Sequence, residues 1–204
     1  MNYSDLRANI AAFLNRDDLA ATIPTFITLA EAQMARDIRH WRMEKRKTAT
    51  FDEGFELLPD DWVETIRLTM GDKPMELASR EEIARWKRRE DTGRPRFFAH
   101  IAGKLEVYPT PDAAYEGELL YMARIPALTD AAPTNWLITE APDAYLYGSL
   151  IQSAPYLVED ERVNVWASLY SAAVQNLNQA SERARYSGPL RLRAYHGRHD
   201  NHEL

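Results

Sequence analysis

The stretch Asn135–Leu150, NWLITEAPDAYLYGSL, decides how the chain is divided. Before it lie short runs rich in Thr, Val, Ile, Phe and Tyr; after it, apolar residues recur every three or four positions. The stretch itself gathers a tryptophan, a threonine, two acids, a proline and two tyrosines, a set that fits either a catalytic pocket or the start of a helix. Helical chemistry accounts for all of it. Thr139 is placed to cap, Pro142 loses nothing in a first turn because its missing N–H has no partner there anyway, and Glu140 and Asp143 suit the positive end of the helix dipole. Tyr147, Leu150, Ile151 and Ala154 then share a face. Pro155 ends or kinks this helix by removing one i→i−4 bond and crowding the carbonyl of Ile151. A long last helix from near Asp160 carries Val163, Trp166, Ala167, Tyr170, Val174, Leu177 and Asn178, and Ser187-Gly188-Pro189 is read as its stop.

Working back towards the N-terminus, Leu6, Ile10, Phe13 and Leu14 fall at helical spacing behind Ser4, a candidate N-cap. A second helix begins near Pro24, with Ile27, Ala30, Met34 and Ile38 on one face, and runs to about Arg39. From Met43 the pattern is that of antiparallel strands separated by turns. MEKRKTATF and FELL are joined by Asp52-Glu53-Gly54, and VETIRLTM and MELA by GDKP. FFAHIA and LEVYP flank Gly103-Lys104, where glycine suits a hairpin turn, and GELLYMARI follows. One short helix interrupts them: Ser79 and Glu82 form a capping box ahead of IARWKRRED, with Gly93 as its stop.

The expected fold class is therefore α+β. Helices of the N-terminal segment (4–39) and the C-terminal segment (142–186) form an α-helical bundle, a β-rich insertion (43–126) carries the short helix 80–91, and residues 187–204 form an extended C-terminal arm. The 204 residues suffice for one sizeable core, and 45% hydrophobic with 27% charged residues is the balance of a globular protein. No apolar run approaches the ~18 residues needed to span a bilayer, and MNYSDLRANIAAFL lacks the residue order of a signal peptide, so neither a membrane span nor a leader is expected. With no cysteine, disulfides and thiolate chemistry are excluded. A formal charge of −6 argues against bulk nucleic-acid binding.

Motifs that carry chemistry are few. Neither G-x-x-x-x-G-K-[ST] nor G-x-G-x-x-G occurs, and G-x-S-x-G is missing too, so no cofactor is expected. His196, His199 and His202 are spaced by three and would share one side of a helix as metal ligands. Gly197 and the absence of an apolar stripe favour a solvated end instead. His40 and His100 fall at a helix end and in a strand, where a cap and a satisfied sheet position explain them. Asp60 and Asp61 are adjacent on an extended chain and point to opposite sides. No residue is assigned a catalytic role.

RDIRHWRMEKRK and RWKRREDTGRPR interleave arginine and lysine with Trp41, Trp86 and Phe97, the ingredients of phosphate contact plus base stacking. A nucleic-acid-binding module around Trp41 and Trp86 is therefore the alternative function. Acids are mixed into both stretches, which favours a charged face making partner contacts. Arg42, Arg46, Arg85, Arg88 and Arg89 are the residues expected to face subunits or DNA. In the tail, Leu190, Leu192 and Ala194 alternate with Arg191 and Arg193, followed by Tyr195, a period of two that suits an added strand or an arm laid on another chain, with a disordered end as the other reading.

Several segments in order carry a resemblance: FITLAEAQMARDIR, LLPDDWVE, LEVYPTP, GELLYMARIPALTD, and NWLITEAPDAYLYGSLIQSAPYLVEDERVNVWASLYSAAVQNLN. The most distinctive part runs from Pro142 to Trp166. Together, over roughly Ile23 to Asn178, they resemble the head-to-tail adaptor (connector) proteins of tailed bacteriophages. The resemblance implies a non-enzymatic virion component at the head–tail junction, made in the bacterial host cytoplasm. It would form a ring, usually dodecameric, beneath the portal protein, bind tail or nozzle proteins on the other side, and leave a channel through which DNA passes without sequence-specific binding. It further implies a helical bundle with a β insertion, and a C-terminal arm that contacts the portal, here Ser187 to Leu204 with Leu190, Arg191, Leu192, Arg193 and Tyr195. The His-rich end matches no family pattern.

Overall fold

Helix α1 (Tyr3–Leu14) opens the chain in a computed structural model that describes residues 1–157 and 161–185. Asn2, not Ser4, is its N-cap: its side chain accepts from the Asp5 N–H while Asp5 reaches back to the Asn2 N–H, a reciprocal box that satisfies two orphan donors. Asn15, with φ 52°, ends the helix in the left-handed region that asparagine tolerates. Helix α2 (Ile23–Asp37) starts with Pro24 in its first turn, as its sequence indicates.

The β region is mixed and contains two sheets, where the sequence pattern suggested antiparallel strands throughout. Strands β1 (Glu44–Phe51), β2 (Phe55–Leu57), β3 (Trp62–Met70), β4 (Lys73–Pro74) and β5 (Glu76–Leu77) come first. They are followed by α3 (Arg80–Lys87), β6 (Phe97–Ile101), β7 (Lys104–Tyr108) and β8 (Tyr115–Ala123). The first sheet has the order β1-β8-β3-β4 and the second β2-β7-β6-β5. Thus β1 and β2, consecutive in sequence, do not form a hairpin: β2 pairs with β7, and β1 with β8. One pair, β5 with β6, is parallel, with α3 as its crossover. The reason is burial. Phe51, Leu68, Met70, Leu119 and Tyr121 on one sheet pack against Phe98, Leu105 and Val107 on the other, forming a core that a single hairpin series would leave open on one side.

The β6–β7 hairpin forms as its sequence suggests, but its turn is Ala102-Gly103, both at positive φ, with Lys104 already paired to Ile101. Helix α3 covers the outer side of the second sheet, where Ile83 packs with Ala99 and Tyr108. The Ser79/Glu82 box caps it, but it ends at Lys87, short of the expected 91. Glu90, at φ 55°, turns the chain away before Gly93 is reached.

The closing segment supplies α4 (Trp136–Glu140), α5 (Pro142–Gln152) and α6 (Arg162–Arg185). Asn135, not Thr139, is the capping residue: its Oδ1 accepts from the Ile138 N–H at 2.9 Å. Thr139 sits inside α4 and donates to the Asn135 carbonyl. Pro142 opens α5 without a side-chain cap, and the helix stops at Gln152, two residues before a single 3-10 turn at Ala154–Tyr156 that contains Pro155. The proposed stop of α6 at Ser187-Gly188-Pro189 lies outside the described residues.

A second core gathers α1, α2, α4, α5 and α6. Leu6, Ile10, Phe26, Ile27, Met34, Leu137, Tyr145, Leu150, Trp166 and Tyr170 are buried together. Helix α5 is its centre, with α2 and α6 both packed on it, and Gly148 admits them: a β-carbon there would lie 3.0 Å from Met34 and 3.2 Å from the Tyr170 ring. Met122 of β8 joins the same core and couples the first sheet to the helices.

Candidate interaction surfaces

Where α2 runs into β1, the chain builds a corner of aromatic and charged groups. His40 is buried and stacks on Trp136 with ring centroids 5.0 Å apart, and its Nδ1 accepts from the Arg42 N–H. Burial holds the imidazole below its usual pKa, with Arg42 and Arg185 adding to the depression and Glu140 opposing it, so His40 is neutral and acts as a cap. Trp41 is 43% exposed, and the Arg42 guanidinium lies 4.9 Å from its ring centroid while pairing with Glu140 at 2.5 Å. Two contacts from α6 hold the corner: Ser181 accepts from the Trp41 N–H, and Asn178 accepts from the Arg39 N–H. Trp41, Arg42, Glu44, Arg46, Leu120 and Trp136 line a groove of about 430 Å³ beside it.

The exposed face of the first sheet carries interleaved charges. Arg46 and Arg67 both approach Glu118, at 3.5 and 3.7 Å, and Arg185 at the end of α6 donates two hydrogen bonds to Glu44. Asp61 shows how one carboxylate ties strands together. It accepts from Lys45 at 2.6 Å and from the Tyr121 hydroxyl at 2.9 Å. Burial pushes Asp61 up, but these hydrogen bonds outweigh it and hold its pKa below the usual range; burial and the same carboxylate push Tyr121 up to about 12.

The second basic stretch lies on the other sheet. Arg85 on α3 and Arg88 just past its end are exposed and line an open hollow with Ser79, Glu81, Glu82 and Ala84, so cations and carboxylates alternate there. Arg89 follows the helix end, and Lys87 pairs with Glu106 at 2.6 Å. Trp86 is half-buried between Phe97 and Tyr108, at centroid distances of 4.8 and 5.4 Å. These contacts tie the ring into the fold, so of the two tryptophans in the nucleic-acid alternative Trp41 is the more exposed for base stacking. Arg42 and Arg46 thus share one surface, and Arg85, Arg88 and Arg89 another.

Among the described residues no group of three or more His, Asp or Glu is arranged to hold a metal, and no helix is long and apolar enough to cross a membrane. His100 is a sheet residue bonded to the Thr65 hydroxyl at 2.9 Å, and burial lowers its pKa. His196, His199, His202 and the arm residues Leu190, Arg191, Leu192, Arg193 and Tyr195 lie outside the described residues.

Exposed apolar side chains form a set that strand periodicity does not single out. Phe55 (39% exposed) and Leu57 (59%) lie on the edge strand β2, and Leu77 (66%) on the opposite edge strand β5. In strands of two or three residues, alternation cannot tell an inward position from an outward one.

The family model described as SU10 adaptor protein matches residues 1–193. No curated protein matches the chain.

Proposed function

The chain belongs to the SU10 adaptor protein family, and from that premise we propose that it forms a ring between the portal and the tail of a phage particle and leaves a channel for DNA. The observation that carries this reading is the family match, which extends over both the helical and the β parts of the chain. It makes the protein a structural phage adaptor and a component of the virion. In the finer reading, the N- and C-terminal helices form a bundle that carries the β insertion. Residues 187–204 serve as an arm on the portal protein, the ring is a dodecamer, and tail or nozzle proteins bind opposite the portal.

The surfaces support this assignment of roles. Trp41 with Arg42, and Phe55 on an edge strand, are residue types concentrated at interface centres, and Leu57 and Leu77 add exposed apolar area. Mixed charges around Glu118 and around Arg85 and Arg88 suit subunit pairing, in which one patch meets a different patch of a neighbour.

Electron microscopy of the protein mixed with its cognate portal tests the proposal. A ring seated on the portal is the expected outcome, and failure to assemble under all salt and concentration conditions would refute it. A salt-sensitive shift of duplex or single-stranded DNA that weakens in Arg85→Ala and Arg88→Ala variants would favour the nucleic-acid module instead.

A further inference from the structure

From Val163 to Ala180, helix α6 contains no charged residue over 18 positions, although the whole chain is 27% charged. Half of that helix is buried in its own core through Trp166, Tyr170, Ala173, Val174 and Leu177. The other half faces outward, and there Val165 (56% exposed), Leu169 (41%), Ala172 and Asn176 follow one another at spacings of four, three and four. That is the spacing at which one helix presents a continuous seam to another. A helix surface meant only for water carries charge on this side.

Helix α2 bears a second seam of the same form. Thr25, Leu29 (48% exposed), Ala32 and Arg36 are all exposed and again separated by four, three and four. The one acid between Ile23 and Ala35, Glu31, is turned inward, where it accepts from the Leu128 N–H and the Tyr145 hydroxyl. Both seams therefore read β-branched residue, leucine, alanine, polar residue, and both lie on helices whose opposite faces are packed on α5.

We propose that the α6 seam of one copy packs against the α2 seam of the next. This rests on the ring reading and names the contact that builds it. The pairing is heterologous, because two different faces meet, so each copy keeps one free face and the contact propagates until the ring closes. Leucines and alanines at facing positions allow knobs-into-holes packing, and Asn176 and Arg36 supply the polar position that fixes register. The α6 face is roughly 27 Å long and 10–12 Å wide, about 500–600 Å² of accessible half-surface. Stable contacts bury about 600–1,000 Å² per partner, so this face alone comes close to the lower bound. Phe13, 45% exposed, accepts at its carbonyl from Arg162 at the first turn of α6 and is a further exposed apolar side chain near that end of the helix.

The absence of native cysteine makes the test direct. The double variant Leu29→Cys/Leu169→Cys, treated with a short bismaleimide alone at high concentration and with portal, should give a ladder of covalent oligomers, whereas Leu169→Cys alone should give none. Leu29→Glu and Leu169→Glu should each fold with an unchanged circular-dichroism melt and fail to form rings. Mixed together they should stop at dimers, since just one pair of intact faces remains. No ladder in either condition, or cross-linked dimers from Leu169→Cys alone, would overturn the pairing. Rings that seat on the portal without the ladder would refute this contact and leave the adaptor function standing, whereas a ladder without any portal engagement would uphold the contact and refute the function.

Discussion

The Tyr145 hydroxyl donates to the Glu31 carboxylate at 3.1 Å, joining the centre of α5 to α2 in the interior of the helical core. Asn135, the cap of α4, donates to the same hydroxyl at 2.7 Å, and Glu31 also accepts from the Leu128 N–H. Four separate chain segments meet at these two side chains. Tyr145→Phe removes the hydroxyl that both Glu31 and Asn135 use, so a loss of about 1–3 kcal/mol is expected in urea denaturation.

Glu31 gives the fold a pH dependence. Burial raises its pKa above the ordinary 4.5, against the hydrogen bonds from Leu128 and Tyr145 that lower it. A carboxyl with a raised pKa in the folded state favours folding most when protonated, and that contribution is lost as pH rises through the folded-state pKa. Melting temperatures of wild type and Glu31→Gln measured from pH 4 to 8 should therefore diverge, with wild type losing ground to the variant as pH climbs past 4.5. Parallel curves would show that Glu31 carries no such linkage.

Trp166 is 4% exposed in the helical core, and Arg162 lies 5.3 Å from its ring centroid. Trp166→Ala should cost about 3–5 kcal/mol through lost burial and the cavity left behind. Removing the residues after Gly188 should leave the melting temperature nearly unchanged and abolish portal binding. Equal losses of melting temperature in the two variants would refute this division of roles.

Two glycines rank differently. A β-carbon on Gly117 would meet the Phe51 ring at 2.7 Å and the Thr69 carbonyl oxygen at 3.1 Å, between strands that cannot separate without breaking the ladder. At Gly148 the nearest atom is the end of the flexible Met34 side chain, at 3.0 Å. Gly148→Ala should cost about 1–3 kcal/mol by overpacking, and Gly117→Ala more than Gly148→Ala; the reverse order in chemical denaturation would contradict the packing described.

Helix periodicity was readable because it is local. Leu6, Ile10, Met34, Leu150, Trp166 and Tyr170 are all buried on the faces their spacing assigns, whereas Phe13 and Ala167, assigned to the same faces, are exposed. The capping box at Ser79 and the break at Pro155 follow from backbone chemistry within a few residues and occur where the sequence puts them. The caps at Asn2 and Asn135 lie two and four residues ahead of Ser4 and Thr139, since several polar residues near each start can serve and only the path of the chain selects one.

Sequence by itself determined the α+β class, the order of helical, β-rich and helical segments, the lack of any thiol chemistry, and a resemblance that the family match bears out. Tertiary structure alone decided that β1 and β2 part company into two facing sheets, that β5 runs parallel to β6, and that Trp86 is spent on packing. It also decided which uncharged positions of α6 are core and which are left outside, Trp166 inward and Val165 outward. The physical reason is that a strand's hydrogen bonds and a helix's apolar face can be satisfied by many partners of the right pattern. The choice among them is made by burial between segments distant in sequence, which local spacing does not encode.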